Sequence, residues 1–207
     1  MRFIHTSDWH LGQTLHHFER GAEHQHFLDW LINTLEAEQA EGLLICGDIF
    51  DNANPSAASQ KQLYRFLQQA KQRLPQLNIL LIAGNHDSPG RLEAPAPLLA
   101  SLDASVIGFV PRHPDGSIDI ARLVVPLKNR AGEVAAWCLA IPFLRPGDVP
   151  RVECDGEADP YMAGIALLYR QVLDHARPLR RPGQAIHALG PCPICLFHPS
   201  DSSAPTH

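Results

Sequence analysis

No apolar run in this sequence approaches the ~20 residues that a membrane-spanning helix requires. Its first residues enter a strand-like segment directly, without the basic region and apolar core of a signal peptide. The expectation is a cytoplasmic protein with no membrane contact. Basic residues are also few: 17 Lys and Arg stand against 22 Asp and Glu, a net charge of −5. That balance argues against a generally basic nucleic-acid binder, although bound metal ions would still supply positive charge at one spot. Charged residues reach only 19% and hydrophobic residues 45%, which is a globular composition and not a disordered one. With 207 residues the chain fills one domain, a second being possible only if small. Five cysteines form no even set, and Cys46 and Cys138 sit inside apolar runs as small buried residues, so nothing suggests a secreted disulfide framework. There is no internal repeat.

What the chain does have is a strand–loop–helix pattern three times in its first ninety residues. Met1 to Ile4 reads as the end of a buried strand, and His5-Thr6-Ser7-Asp8-Trp9-His10-Leu11-Gly12 follows it. Ala22 to Gln39 has helical spacing, with Phe27, Leu28, Leu31, Ile32 and Leu35 as its apolar stripe and Gly42 as its end. Leu43 to Cys46 is a short run typical of a buried parallel strand, followed by the turn-rich loop Gly47 to Pro55. Ser56 caps a helix to Leu74, Asn78 to Ala83 is a third strand, and Gly84 to Gly90 is a third polar loop. Of the 12 histidines, His16, His17, His24 and His26 lie in or beside a polar helical stretch and read as surface residues.

Past residue 90 the pattern is weaker. Leu92 to Leu102 is a short helix interrupted by Pro95 and Pro97. Ser105 to Val110, Ile118 to Val125 and Val134 to Ile141 read as strands, Met162 to Ala176 as a helix and Ala185 to Leu189 as a last strand. From Gly190 onward neither periodicity survives.

Each of the first three loops carries groups that bind metals. They supply Asp8 and His10; Asp48 and Asp51; and Asn85, His86 and Asp87. Ligands of open α/β sheets bind outside the carboxyl ends of the strands, and mixed oxygen and nitrogen donors suit manganese, iron or zinc. Two such ions clamp the attacking and leaving oxygens of a phosphoester, provided one carboxylate bridges them. Asp48 is the natural bridge, with Gly47 leaving room for close approach, and Asn85 adds a ligand without charge. His86 reads as a general acid or a clamp on the phosphate, and Asp87 as the carboxylate that fixes its tautomer. Alone, the first cluster is read equally well as a turn aspartate and a surface histidine, and the second and third are read better as turn or cap chemistry. Three in order, each directly after an apolar strand, point to one site.

Asp8-x-His10, Gly47-Asp48-x-x-Asp51 and Gly84-Asn85-His86-Asp87 are similar to the first signature blocks of the calcineurin-like metallophosphoesterases. The wider stretches HTSDWHLG, GDIFDNANPS and AGNHDS, the helix with Glu23-His24 near its start, and Ile141-Pro142-Phe143-Leu144-Arg145-Pro146 resemble the SbcD branch of bacterial nuclease subunits. The resemblance covers about residues 1 to 190. It implies an α/β fold, a two-layer mixed β-sandwich flanked by helices with two manganese ions between the sheets. By matching position, Asp8 and His10 would hold the first ion, Asp48 would bridge, Asn85 would hold the second, and His86 would be the catalytic histidine, with Asp51 and Asp87 in support. The implied activity is ATP-dependent 3′→5′ exonuclease on double-stranded DNA and endonuclease at hairpins, in DNA replication, recombination and repair. The implied partners are the ATPase SbcC and a second copy within that complex.

The sequence also departs from that pattern. Family members continue with a Gly-His block and a Gly-His-x-His block that complete the metal spheres, whereas Gly190 here precedes Pro191. Cys192-x-x-Cys195 with His198 could form a metal half-site, but supplies at most three of the four ligands of a structural zinc. A truncated or frame-shifted end is the expectation: residues 1–190 as a partial nuclease domain, residues 191–207 as an unstructured tail, and little nuclease activity from this chain alone. Two rival readings remain. One is another metallophosphoesterase, a protein phosphatase or cyclic-nucleotide phosphodiesterase. Asn52-Ala53 counts against the phosphatase branch, which usually has Arg-Gly there. The other is a non-catalytic fragment that binds DNA or a partner.

Overall fold

Leucine- and isoleucine-rich segments without charges form strands buried on both faces. The computed structural model, which describes residues 1–153 and 159–190, orders them as that pattern requires. The tail, with Cys192, Cys195 and His198, lies outside the described residues. Strand β1 (Phe3–Thr6) leads into a small hairpin of β2 (Thr14–Leu15) and β3 (Phe18–Glu19), then helix α1 (Gly21–Ala37). After β4 (Gly42–Cys46), α2 (Ala57–Arg73) and β5 (Asn78–Ile82) come two short helices, α3 (Pro89–Glu93) and α4 (Ala96–Ala100), and strand β6 (Ala104–Ile107). The remainder is β7 (Val124–Lys128), β8 (Val134–Ala140), α5 (Pro160–Ala176) and β9 (Ala185–Leu189).

The first sheet is parallel in the order β1-β4-β5-β6. The second has the order β7-β8-β9, antiparallel then parallel. The two faces of the first sheet enter different cores. Leu43, Ile45, Ile79 and Leu81 pack with Leu28, Leu31 and Leu35 of α1 and Leu63, Phe66 and Leu67 of α2. The intervening Leu44, Cys46, Leu80 and Ile82 share a second core with Leu127, Ala136, Cys138 and Ala140 of the other sheet and Leu168 and Val172 of α5. This is the expected two-layer β-sandwich flanked by helices. Cys46 and Cys138 are buried in that second core as expected, and burial pushes the Cys46 thiol up to about 12.

Several boundaries differ from the sequence expectation for identifiable reasons. Helix α1 ends before Gly42, with Gln39 at φ +51° and Ala40 N–H donating to Leu35 O, a Schellman ending in which Gln takes the usual glycine place. Gly42 instead opens β4, where a Cβ would meet the ring of Phe3 at 2.6 Å. Residues Ile120–Leu123, read as strand, form a 3-10 turn, and β7 runs on through Pro126 to Lys128. A proline fits there because β7 is an edge strand. The apolar stretch at 92–102 splits into α3 and α4 at Pro95, as its prolines indicated. Among the described residues no helix is long and apolar enough to cross a membrane.

Leu81, 0% exposed in a central strand, carries much of the core beneath α1 and α2. Leu81→Ala is expected to lower stability by about 2–5 kcal/mol, read from the midpoint of urea unfolding. A loss below ~1 kcal/mol would contradict that central position.

Candidate metal centre

Parallel strands send all their carboxyl ends to one edge of the sheet, so the loops after β1, β4 and β5 must meet there. Backbone bonds continue the ladder beyond the strands themselves. Asp8 N donates to Gly47 O (3.2 Å), His10 N to Asp48 O (2.9 Å), Leu11 N to Ile49 O (2.9 Å) and Asp51 N to Leu11 O (3.2 Å). These bonds hold the first loop against the second residue by residue.

Trp9 gives the first loop its footing. It is 5% exposed, packs edge-on against Phe27 and Phe66, and its Nε1 donates to Thr6 Oγ1 at 2.9 Å. With Trp9 turned into the core, Asp8 and His10 on either side remain at the surface, exposed and half-buried respectively. An aromatic residue between two metal-type side chains was the sequence signal for this anchor, and sequence reasoning left it unused.

Asp8, His10 and Asp48 bring one candidate ligand atom each within 4.8 Å of one another. All three take the left-handed backbone region, at φ +57°, +44° and +46°. Non-glycine residues seldom do so, and the cost is of order 1–3 kcal/mol each when the surroundings enforce it. Gly47, at φ +82°, is required by its own backbone conformation rather than only by room for a ligand.

The third loop is held by Asp87. Only 2% exposed, its carboxylate accepts from Ile49 N (3.2 Å), Phe50 N (2.9 Å) and Gly84 N (2.9 Å). Burial pushes this carboxyl up, the three N–H groups draw it back down, and nearby Asp48 adds to the rise. Asp87 therefore does not fix the His86 tautomer, as the sequence suggested. The His86 Nδ1 lies 2.8 Å from the backbone carbonyl of Asp51 instead. That is a correction of role: a fully buried carboxylate bonds the nearest backbone donors, while exposed His86 leans on the neighbouring loop. Gly84 is held by sterics, since a Cβ there would run into the backbone and carboxylate of Asp48.

His86 N donates to Asp48 Oδ1 at 2.9 Å, which sets its backbone directly over the cluster. Its ring lies edge-on to that of His10, centroids 5.0 Å apart. The Asp51 carbonyl, with lesser help from the carboxylates of Asp48, Asp51 and Asp87 and against slight burial, holds the His86 pKa above its ordinary value. Asp51 Oδ1 is 3.6 Å from His10 Nδ1. Asn85 stands exposed in the same loop as His86. The segment after β8 reaches this edge too, where Phe143 N donates to Ala83 O at 2.8 Å.

His24 departs from the surface reading that its polar neighbours suggest. It is 7% exposed, because it falls one turn before Leu28 on the buried stripe of α1, whereas His16, His17 and His26 are exposed as expected. Burial first, and Arg20 second, hold its pKa below the ordinary value.

The donor set fits a divalent ion. Carboxylate and imidazole ligands suit divalent transition metals, and His10 Nδ1 is a buried nitrogen with no hydrogen-bond partner among the described residues. A parallel sheet with such a cluster at its carboxyl edge is an α/β domain with a candidate metal site where open sheets bind ligands. Residues 1–133 match the model of the calcineurin-like phosphoesterase family, and the chain belongs to that family. Among its relatives, the chain is 46% identical over 157 residues to the SbcD subunit of the SbcCD nuclease from Rhodobacter capsulatus, covering 76% of this chain and 38% of that protein. It is 36% identical over 149 residues to the corresponding protein of Escherichia coli K12, covering 72% and 34%. With the counterpart from Bacillus subtilis the identity is 39% over 114 residues, covering 55% and 29%. The chain thus spans less than two fifths of the length of these curated relatives.

Asp87→Ala would strip three buried backbone N–H groups of their acceptor at once. A loss of about 3 kcal/mol or more is expected, together with weaker divalent-metal binding, by urea unfolding and calorimetry. Unchanged metal affinity would show that Asp87 does not align the loops.

Proposed function

We propose that this chain carries the metal-binding half of a DNA nuclease site built for phosphodiester hydrolysis, with little turnover from this chain alone. The observation that supports this most directly is the convergence of Asp8, His10 and Asp48 within 4.8 Å, beneath an exposed His86 held by the Asp48 carboxylate. In this reading Asp8, His10 and Asp48 would hold one divalent ion, and Asp48 and Asn85 would help to hold a second. Manganese is the ion of choice. When bound, such ions supply Lewis-acid polarisation of a phosphoryl oxygen and neutralise charge that builds up on it.

The chain's own residues account for the rest. With its Nδ1 engaged by the Asp51 carbonyl, His86 presents Nε2 to solvent and substrate. That nitrogen is the ring atom left for donation to the leaving oxygen or for a clamp on the phosphate. Asp51 links the two histidines, through its carbonyl to His86 and its carboxylate to His10. Asp87 keeps the second and third loops in register.

The relatives' names, as D subunits of the SbcCD nuclease, support a nuclease role beside a partner subunit; the family resemblance makes the proposed substrate DNA and the proposed partner an SbcC-type ATPase, in recombination and repair. Linear duplex ends cleaved 3′→5′ and hairpins are the proposed targets, within a complex that holds two copies of the nuclease subunit.

Release of nucleotides from linear duplex DNA, with manganese present, tests this. Any turnover is expected to fall to background with a chelator and in Asp48→Asn. His86→Asn is expected to retain metal binding while losing cleavage. Hydrolysis of a cyclic nucleotide or a phosphopeptide in place of DNA would overturn the reading.

A further inference from the structure

Phe143 is a half-buried aromatic residue that packs into neither hydrophobic core. Its backbone N–H donates to Ala83 O at 2.8 Å. Ala83 directly precedes Gly84, which lies so close to Asp48 that a Cβ there would strike its carboxylate. Phe143 therefore stands at the sheet edge that holds the candidate metal ligands. Over its ring lies the guanidinium of Arg145, 5.5 Å from the centroid, inside the ~6 Å range of a cation–π attraction. Arg145 is exposed and, among the described residues, pairs with no carboxylate. Neighbouring Asp148 spends its Oδ2 on the Arg145 backbone N–H at 2.8 Å, and Asp148 N donates back to Arg145 O at 2.8 Å. The Tyr161 hydroxyl fixes the turn further by donating to Leu144 O. The backbone is thus pinned while the charged head stays open. A guanidinium lying on an aromatic ring keeps its N–H edge free for a phosphate.

We propose that Arg145 binds a backbone phosphate of the polynucleotide beyond the one at the metal centre, with Phe143 holding the guanidinium in place. The inference rests on the nuclease reading above and deepens it, because it makes a second phosphate part of what the site recognises. Distance supports it. Arg145 is two residues from Phe143, a Cα separation of at most about 7 Å, and one DNA strand carries a phosphate about every 3.4 Å of helix axis. A strand seated at Asp48 and His86 then has a phosphate within reach of Arg145 about one to three nucleotides away. Charge supports it as well. Asp8, Asp48 and Asp51 make this edge acidic, and the whole chain carries −5, so a polyanion gains from a fixed cation beside the cluster. A cyclic nucleotide has no second phosphate and gains nothing from it.

The test is fluorescence anisotropy of a labelled duplex oligonucleotide, titrated with the full chain over a range of salt concentrations. A chelator is present throughout, so the readout stands whether or not the cluster binds ions. Arg145→Gln is expected to bind about tenfold more weakly at low salt and to flatten the slope of log affinity against log salt by about one. Arg145→Met, which keeps an apolar contact with the ring, is expected to do the same and serves if the first variant does not fold by circular dichroism. Arg145→Lys is expected to keep the slope. Phe143→Leu is expected to keep it too while losing about 2–5-fold in affinity, the worth of an exposed cation–π contact. Arg65→Gln removes the same charge from an exposed position on α2 and is expected to bind like the parent. An unchanged slope in folded Arg145→Gln or Arg145→Met would overturn the proposal. Equal flattening by Arg65→Gln would do the same, since it would assign the effect to net charge. A parent that does not bind the duplex at low salt overturns it as well. Absence of manganese-dependent cleavage, by contrast, counts against the nuclease reading and leaves the binding titrations to decide Arg145.

Discussion

One buried carboxylate sets the distance between the two loops that matter most. Asp87 accepts from the backbone of Ile49 and Phe50, directly after Asp48, and of Gly84, directly before Asn85 and His86. Hydrogen bonds to an ionised acceptor are roughly twice as strong as neutral ones, and here one side chain saturates three N–H groups that no strand partner could reach. The closeness this enforces leaves no space for a Cβ at residue 84, so Gly84 and Asp87 act as one device. Burial works against the charge and the three donors work for it. That opposition is tolerable only because all three donors belong to rigid backbone at the sheet edge.

Held in this way, the loops can keep conformations that short peptides would abandon. Asp8, His10 and Asp48 each occupy positive φ, and together the strain is a few kcal/mol. It is opposed by the backbone lacing from Asp8 to Asp51 and by burial of Trp9 against Phe27 and Phe66. Of the seven non-glycine residues of positive φ among those described, three are read as ligands, and the other four, His16, His17, Gln39 and Asp103, lie in turns. Preorganisation of this kind spares the site a conformational change when it meets its ions.

Much of this was legible in sequence, because apolar strands followed by polar loops obey a simple rule. The strands at Gly42–Cys46, Asn78–Ile82, Val134–Ala140 and Ala185–Leu189 lie within a residue or so of where hydrophobicity and flanking turns put them. The cluster of Asp8, His10 and Asp48 follows from that order plus the parallel topology. What sequence could not give were long-range backbone bonds. Nothing near Asp87 announces that its carboxylate serves Ile49 and Phe50, which lie 38 and 37 residues away, while adjacency to His86 invites the wrong partner. His24 was misread for a different reason. Its neighbours Glu23, Gln25 and His26 are polar, and only counting back four residues from Leu28 puts it on the buried face.

The second sheet bears on the metal centre through its strand ends, not its faces. Ile141 N donates to Leu189 O, and two residues on Phe143 N donates to Ala83 O. Strands β8 and β9 are parallel, so both leave their sheet on the side where β5 opens into the third loop. Gly190 lies at that exit, and a Cβ there would strike the hydroxyl of Tyr169 on α5, which makes glycine a steric requirement at this turn. The end of β9, at Leu189, is therefore joined to the segment that reaches the edge holding Asp48 and His86. The sandwich topology itself, rather than any single contact, makes strands from both sheets converge on one centre.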